Sequence, residues 1–257
     1  MRVGATALAC WLAACSSGKP QPSTSSFAQR FADGGSCPPA SAPGLPSGSG
    51  CVTSVAADLD GNGTSDRFLV YARLADGTPT SWWARALLSG SSPTPPARLP
   101  AGEAVGGTSM IYPRVAGATQ ANTAPGDEVF VQLSADLFHG AAPPIDAIYD
   151  VRDGHVVPVT SNGKLFTFST GGISRFGSGA RCDGDRVFTL THVEIEPNGW
   201  TWSDHRYTWN GTELVAGGRS SGHLPPVLIS NPRVYRNFEL ICGPLRLSQV
   251  TDSYPKP

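Results

Sequence analysis

The chain has 257 residues, a formal net charge of −1 at neutral pH and a charged fraction of only 15%. This balance leaves no basic stripe that could follow a phosphate backbone, so nucleic acid is not an expected partner. Past the N-terminal signal described next, the sequence contains no run of 18 apolar residues and so predicts no transmembrane helix. The length fits one domain or one array of repeats.

A short apolar run follows Arg2 and ends in Leu12-Ala13-Ala14-Cys15. This L-A-A-C ending resembles the lipobox of bacterial lipoprotein signals. The resemblance implies that residues 1–14 are a signal peptide, cut before Cys15. Acyl chains such as palmitate on Cys15 would then anchor the protein to the cell membrane on its extracytoplasmic side. An ordinary secretory peptide that happens to end in Cys is the alternative.

A segment rich in Gly, Pro, Ser and Ala follows the signal and extends to Gly50. It has too few large apolar side chains to offset the entropy lost when a chain becomes ordered. We therefore predict a lipid-anchored flexible linker over residues 15–50 and a folded domain over residues 51–257.

Four cysteines remain once Cys10 leaves with the signal and Cys15 is acylated. An even number of cysteines in an oxidising compartment is typical of disulfide bonds. Among the three pairings that four cysteines allow, we favour the one that joins the first two and the last two. A metal site and free thiols are the alternatives, although no C-x-x-C pair supports zinc. The favoured bonds are Cys37–Cys51 and Cys182–Cys242.

From Cys51 onward, strand-like runs alternate with turn dipeptides. The runs at residues 68–73, 128–133 and 187–193 are rich in β-branched and aromatic residues, which favour strands. No ten-residue stretch combines helical periodicity with caps, so we predict an all-β protein. Asn-Gly and Asp-Gly supply the positive φ angles of tight hairpins, and they occur at residues 76–77, 153–154, 162–163, 198–199 and 210–211. The clearest hairpins pair residues 145–151 with 155–159 and residues 193–196 with 200–203.

A weak internal repeat accompanies the three strongest strands. Asp66, Asp127 and Asp185 each precede one of them, at intervals of 61 and 58 residues. Repeated hairpins of this kind bury their apolar faces against neighbouring repeats. We therefore predict a repeat-built β domain, irregular and propeller-like, with a β-sandwich or a trefoil-like barrel as alternatives. A chance recurrence of Asp before strands is the other explanation.

One loop carries a candidate cation-binding motif. Its residues 58–66 read D-L-D-G-N-G-T-S-D. Side-chain oxygens at alternate positions, with a glycine that permits a sharp turn, can wrap a hard cation such as Ca²⁺. Leu69 stands where an EF-hand has its bidentate Glu, and a strand is predicted to follow instead of a helix. The loop is therefore not an EF-hand.

The pattern D-x-D-G-N-G-x-x-D-R-F-L-V-Y resembles FG-GAP or VCBS repeats, in which such a loop joins two strands of a propeller blade. With the lipobox and linker, it makes the chain similar to actinobacterial-type lipoproteins that carry a degenerate FG-GAP/VCBS-like domain. The likeness is good over residues 55–75. In the second unit Ala118, Gln120 and Asn122 stand at the positions of the first two acids and the Asn, so the pattern is degenerate there.

This resemblance implies one Ca²⁺ site with a structural role. The alternative is a hydrogen-bonded, Asx-rich turn without a metal. The ligands that the resemblance implies are the side chains of Asp58, Asp60, Asn62 and Asp66 and the carbonyl oxygen of Thr64.

Two pairs of tryptophans are a candidate ligand platform: Trp82 and Trp83, and Trp200 and Trp202. Trp200 and Trp202 are two residues apart, so both side chains leave the same face of a strand. Buried, these side chains belong to the core, which is the expectation we favour. Exposed, they would form a platform for glycans or peptides and define a carbohydrate-binding module.

The sequence predicts no catalytic residue. Gly218–Gly222 reads G-R-S-S-G, but the nucleophile elbow that it matches needs a following helix, which Pro225-Pro226 disfavours. We therefore expect a non-enzymatic binding or structural component of the cell envelope, with an envelope protein or a glycan as its partner. The alternative is an extracytoplasmic hydrolase whose site is assembled from distant loops, marked by a pocket with converging His or carboxylate groups.

Overall fold

The computed structural model describes residues 37–100, 113–136, 142–173, 176–184, 186–225 and 238–248. The predicted signal peptide, Cys15 and most of the predicted linker lie outside these residues. The described residues form nineteen β-strands, and they include no helix that is long and apolar enough to cross a lipid bilayer. The prediction of an all-β protein is confirmed.

The strands differ widely in length. In chain order they are β1 (Pro39–Ala40), β2 (Ser49–Ala57), β3 (Asp66–Ala75), β4 (Thr78–Leu87), β5 (Ala97–Leu99), β6 (Arg114–Thr119), β7 (Glu128–Asp136), β8 (Ala142–Arg152), β9 (His155–Pro158), β10 (Thr160–Ser161), β11 (Lys164–Leu165), β12 (Thr167–Ser169), β13 (Gly171–Ile173), β14 (Phe176–Cys182), β15 (Val187–Glu196), β16 (Gly199–Asn210), β17 (Glu213–Leu224), β18 (Glu239–Cys242) and β19 (Leu245–Ser248).

These strands form three sheets. The first sheet has the order β1-β2-β3-β4-β5, and the second has β12-β8-β7-β6 with β9 also paired to β8. The third has the order β11-β10-β17-β16-β15-β14-β18-β19, with β13 paired to β14. One sheet is curled into a half-barrel, and the described strands do not form a propeller.

The predicted turn dipeptides do close hairpins. Asp153, with a φ of 51°, and Gly154, with a φ of 72°, connect β8 to β9. Asp76-Gly77 connects β3 to β4 in the same way, and both residues again have positive φ angles. The other predicted hairpin pairs β15 with β16 through a turn at Pro197 and Asn198, with Glu196 paired to Gly199. Both hairpins expected from the sequence are therefore present.

The second sheet packs on both of its faces. One hydrophobic cluster joins Phe68 of the first sheet to Val129 and Val131 of β7. Another cluster joins Phe130, between those two valines, to Phe188 of the third sheet. Because successive side chains of a strand point to opposite faces, β7 contributes to both clusters. This explains why residues 128–133 are all buried.

Two disulfide bonds, Cys37–Cys51 and Cys182–Cys242, are present and match the favoured pairing. The first bond ties residues 37–50, which sequence patterns assign to the linker, to the first sheet. In that segment β1 pairs with β2. Gly44 O also accepts a hydrogen bond from Arg85 Nη1 at 2.6 Å. Contact with the first sheet therefore begins before residue 51.

Candidate functional site

The segment 58–66, called the acidic loop below, joins β2 to β3 at one end of the first sheet. Ala57 and Asp66 are directly paired across these strands, so the ladder closes the loop. Gly61 and Gly63 have φ angles of 75° and 83°, which glycine adopts without the steric cost of a side chain. These two glycines allow the loop to fold back on itself.

Three carboxylates of the acidic loop lie together. Asp58, Asp60 and Asp66 each offer one oxygen, and these oxygens lie within 4.8 Å of one another. Hard cations such as Ca²⁺ and Mg²⁺ prefer oxygen ligands of this type. A cation between the three carboxylates would also offset the repulsion among their negative charges. The acidic positions predicted from the sequence thus form an acidic triad that could hold a metal ion.

Backbone N–H groups orient the two outer carboxylates. The Gly63 N–H donates to Asp58 Oδ2 at 2.9 Å, and the Asn62 N–H donates to Asp60 Oδ1 at 3.1 Å. The other oxygen of Asp58, Oδ1, is buried and has no hydrogen-bond partner among the described residues. A buried carboxylate oxygen without a donor is unfavourable, so Asp58 Oδ1 is the atom that would gain most from a bound cation.

Asp66 is the buried member of the triad. It is 4% exposed, and its two oxygens accept hydrogen bonds from the Leu59 N–H at 3.0 Å and the Ser89 N–H at 2.7 Å. Leu59 is itself fully buried in the core. Asp66 therefore links the acidic loop to the connection between β4 and β5, besides facing the other carboxylates.

Asn62 and Thr64, two further ligands implied by the resemblance, make local contacts. Asn62 Oδ1 accepts a hydrogen bond from the Thr64 N–H at 2.7 Å, as in an Asx turn. Asn62 Nδ2 donates to Asp60 Oδ2 at 3.0 Å. These contacts orient Asp60 without a metal, so they also fit the alternative of an Asx-rich turn.

The connection between β6 and β7 repeats this loop with a different charge, and residues 120–128 are called the amide loop below. Thr119 pairs with Glu128 as Ala57 pairs with Asp66, at an interval of 62 residues. The sequence alignment of the two loops placed Ala118 at the position of Asp58, and this was wrong. Strand pairing moves the alignment by two residues, so Gln120 corresponds to Asp58. Gln120 and Asn122 occupy the positions of the first two acids.

The hydrogen bonds of the amide loop follow the same plan. Glu128 Oε2 accepts from the Ala121 N–H, seven residues earlier, just as Asp66 accepts from Leu59. Asn122 Oδ1 accepts from the Ala124 N–H. Glu128 is completely buried, and this burial raises its pKa to about 8. The amide loop is thus largely uncharged at neutral pH at the positions equivalent to the triad.

The two loops touch each other. The Asp127 N–H donates to Asp58 O at 2.7 Å, and the Asp58 N–H donates to Asp127 Oδ2 at 3.2 Å. A Cβ atom on Gly61 would lie 2.3 Å from Pro125 Cβ, so only glycine fits there. The acidic loop is therefore braced by the amide loop.

The third predicted unit has a shorter connection, between β14 and β15. The Asp183 N–H donates to Val187 O at 2.8 Å, and Asp183 Oδ2 accepts from Thr189 Oγ1 at 2.6 Å. Arg181 Nε also donates to Asp183 at 3.0 Å. Asp185 lies outside the described residues. The side chain of Asp183 is thus engaged in an ion pair and not in a second acidic cluster.

A pocket of about 190 Å³ lies on the third sheet, beside Ser169 at the end of β12. Sequence reasoning missed it because its residues come from four strands. Only the alternation of polar residues along β15 and β16 could have indicated it. Ser178 Oγ and His192 Nδ1 are 3.4 Å apart in this pocket, and among the described residues no carboxylate lines it. The side chains that line it belong to Ser169, Ser178, Leu190, His192, Ser203 and His205.

The tryptophans lie mainly in the core. Trp82 is 8% exposed in the cluster between the first and second sheets. Trp200 is 4% exposed and packs with Phe238 in a smaller cluster, against which the partly buried Trp202 also lies. Trp83 is partly buried, and its Nε1 donates to Ser81 Oγ. These positions match the core interpretation and leave no open face on Trp82 or Trp200.

The G-R-S-S-G segment lies inside β17, which runs without interruption from Glu213 to Leu224. Ser220 is paired with Asp204 of β16. A nucleophile elbow requires a sharp turn between a strand and a helix, so this segment lacks the required geometry.

Comparison with protein-family models, curated proteins and solved structures gave no match to this chain.

Proposed function

We propose that this chain is a lipid-anchored extracytoplasmic protein whose β domain binds Ca²⁺ through the acidic loop. In this proposal the domain acts as a non-enzymatic binding or structural component of the cell envelope. The observation that carries the proposal is the convergence of Asp58, Asp60 and Asp66 within 4.8 Å. An envelope protein or a glycan would be the partner, and the membrane would be reached through the lipid on Cys15.

The choice of a hard cation follows from the donors. The site offers carboxylate oxygens and no thiolate or imidazole, a set suited to Ca²⁺ or Mg²⁺. Ca²⁺ is favoured over Mg²⁺ because it tolerates irregular geometry and carbonyl ligands. Asp58 and Asp60 are also accessible from solvent, so a cation could enter the site.

Two disulfide bonds support the compartment. Cysteines persist as disulfides mainly in oxidising environments outside the cytoplasm. In such an environment, calcium sites of extracellular modules have dissociation constants of about 10⁻⁴–10⁻³ M. The resemblance to FG-GAP/VCBS repeats stays part of the proposal for the loop sequence alone and rests on residues 55–75.

Calorimetric titration of Ca²⁺ into the EDTA-treated protein tests the metal. We expect saturable binding, and a free energy of unfolding higher by about 2.7 kcal/mol at a Ca²⁺ concentration of 100 times the dissociation constant. The variant Asp58→Asn/Asp60→Asn keeps the size and one acceptor of each side chain, and it should lose both effects. Asp153→Asn, at an exposed turn, is the matched control and should bind normally. No heat, or equal heat in the double variant, would leave the loop an Asx-rich turn.

Labelling with palmitate in the native host tests the anchor separately. The wild-type chain should incorporate label and sediment with membranes, whereas Cys15→Ala should do neither. Incorporation that persists in Cys15→Ala would contradict the lipobox interpretation.

A hydrolase is the second candidate, because the pocket places Ser178 Oγ near His192 Nδ1. The separation of 3.4 Å is long for a hydrogen bond that would activate a serine. We therefore expect p-nitrophenyl acetate to be hydrolysed no faster by the wild type than by Ser178→Ala. A rate that falls at least tenfold in Ser178→Ala would instead favour the enzyme.

A further inference from the structure

The pocket on the third sheet is separate from the acidic loop and is a second candidate for ligand binding. Strand register explains why its side chains converge. Ser178, His192 and Ser203 are directly paired across β14, β15 and β16, so they form one row on one face of the sheet. Leu190 and His205 are paired in the next row on the same face. The pocket is therefore built on paired strands and not on loops.

The polar groups of this pocket are available to a ligand. The polar side chains that face the pocket make one hydrogen bond within the described part of the chain, the contact of 3.4 Å between Ser178 Oγ and His192 Nδ1. The hydroxyls of Ser169 and Ser203 and the ring of His205 make none there. Hydroxyls can both donate and accept, and a neutral imidazole has one nitrogen for each role. These groups complement the hydroxyls of a ligand, which also do both.

The charges around the pocket favour an uncharged ligand. No Asp, Glu, Lys or Arg is among the described residues that line it. On the same face, Glu194 follows His192 along β15, and Arg219 is directly paired with His205. These exposed charges have opposite signs. Asp204 lies on the other face, where Arg181 Nη2 donates to it at 2.6 Å.

The size of the pocket suits a small ligand or one unit of a larger one. Its volume of about 190 Å³ equals that of about six water molecules in the liquid. It is smaller than the roughly 300–1,000 Å³ of sites for drug-sized ligands. A single six-membered ring with its hydroxyls is of this size.

An aromatic ring lies beside His192, one of the residues that line the pocket. Phe176 is two residues before Ser178 on β14, so both side chains leave the same face. The centroid of its ring lies 6.5 Å from that of His192, and its side chain is only partly buried. An aromatic ring beside hydrogen-bonding groups matches a ligand with one apolar face and a polar rim.

We propose that this pocket binds a neutral pyranose unit of a glycan. The sugar hydroxyls would contact Ser203, His192 and His205, and the C–H face of the ring would pack against Phe176. A glycan partner would then be recognised at this pocket, and not at the tryptophans that were the alternative candidate platform. The proposal is independent of any cation at the acidic loop.

Saturation-transfer NMR with the full chain tests the proposal. The probes are methyl glucoside, methyl galactoside, methyl mannoside and N-acetylglucosamine, each titrated to 50 mM in the presence of Ca²⁺. We expect saturable transfer from at least one probe, with a millimolar dissociation constant. His205→Ala and Ser203→Val should each weaken binding at least tenfold. Phe176→Leu, which keeps an apolar side chain, should weaken it severalfold.

Matched controls separate the pocket from the rest of the surface. His155→Ala, at a hairpin tip of the second sheet, and Ser220→Ala, on the other face of β17, should bind like the wild type. Circular dichroism establishes that each variant is folded. Absence of transfer from every probe would overturn the proposal, as would transfer that all three pocket variants retain. Shifts of the His192 and His205 ring signals with phosphate or Zn²⁺, and with no sugar, would also overturn it.

Discussion

The acidic loop and the amide loop are two versions of one hairpin connection, and they differ in charge more than in hydrogen bonding. In both loops a carboxyl group at the start of a strand accepts the N–H of the residue seven positions earlier. The amide loop adopts this arrangement with Gln120 and Asn122 at the positions where the acidic loop has two aspartates. The first position bonds differently, because Gln120 Nε2 donates to Ala124 O whereas Asp58 Oδ2 accepts from the Gly63 N–H. A loop of this kind thus forms without carboxylates at those two positions, which supports the proposal that Asp58 and Asp60 hold a cation.

The carboxyl groups at the strand starts also differ. Asp66 uses both oxygens to accept backbone N–H groups from two segments. Glu128 uses Oε2 in this way, whereas its buried Oε1 has no partner among the described residues. Burial without compensating donors raises the pKa of Glu128 to about 8. The two carboxyl groups thus differ in how many of their oxygens accept a hydrogen bond.

The largest expected effect concerns the contact between the loops. In Gly61→Ala the new methyl group would collide with Pro125, and the alanine would have to adopt a positive φ angle. We therefore expect a loss of about 4 kcal/mol in the free energy of unfolding. Gly63→Ala has the same backbone strain but nothing within 4 Å of the new atom, and should lose about 1 kcal/mol. Urea denaturation of both variants gives the comparison. Equal losses would show that the loops do not brace each other.

The next largest loss of stability is expected at the carboxyl groups that begin β3 and β7, Asp66 and Glu128. Asp66→Ala leaves the N–H groups of Leu59 and Ser89 without their acceptor, which should cost about 3 kcal/mol in the free energy of unfolding. Glu128→Gln retains an oxygen that can accept from the Ala121 N–H, so its cost should stay below about 1 kcal/mol at neutral pH. Urea denaturation measures both variants. A larger cost for Glu128→Gln than for Asp66→Ala would reverse the comparison.

Adding a Ca²⁺ site to the amide loop would test whether charge is the difference between the two loops. Gln120→Asp/Asn122→Asp gives the amide loop the acids of the acidic loop, and we expect a second Ca²⁺ to bind. Calorimetry should then report two Ca²⁺ per chain instead of one. Gln120→Glu/Asn122→Gln, which adds one charge at an unchanged side-chain length and lengthens the side chain at position 122, is the control and should bind one. A double-aspartate variant with unchanged stoichiometry would mean that loop charge alone does not create a site.

The smallest effect is a dependence on pH. Because the pKa of folded Glu128 is raised to about 8, its contribution to stability is complete below the unfolded pKa and is lost as the pH rises through 8. From pH 7 to pH 9 this loss is about 1.4 kcal/mol. Burial raises the pKa of Asp146 to about 7 and also raises that of Asp150, so the wild type should lose more in total. In Glu128→Gln the loss should be smaller by about 1.4 kcal/mol, as measured by urea denaturation at both pH values. An unchanged loss would show that Glu128 does not titrate in this range.

Local patterns predicted the local structure well. Asp-Gly has intrinsic access to positive φ angles, and the hairpin at Asp153-Gly154 uses them. The hairpin between β15 and β16 was predicted from its Asn-Gly dipeptide, although its turn residues are Pro197 and Asn198. Trp200 and Trp202 share a face because the period of a strand is two, and the core holds the first of them. The acidic triad was also predictable, since its members lie within nine residues and one turn brings them together.

Register and layering were not predictable in this way. The spacing of Asp66 and Asp127 indicated a repeat of 61 residues, whereas strand pairing aligns Asp66 with Glu128. A shift of one residue turns every side chain of a strand to the other face, so the interval read from sequence placed the wrong residues opposite the acids. The burial of both faces of β7 depends on two other sheets and leaves no periodic signal in its continuous apolar run.

The all-β class, the turns and the acidic loop could be derived from the sequence because each depends on residues that are close together, and the small number of cysteines favoured the disulfide pairing that the structure has. Lipidation of Cys15 stays a prediction. The residues that support these features became known only from the three-dimensional arrangement of the strands. In the folded chain the amide loop contacts the acidic loop, Glu128 is buried, and serines and histidines from four strands line one pocket. These arrangements depend on long-range strand pairing, in which hydrogen bonds and burial select one register among several that local patterns allow.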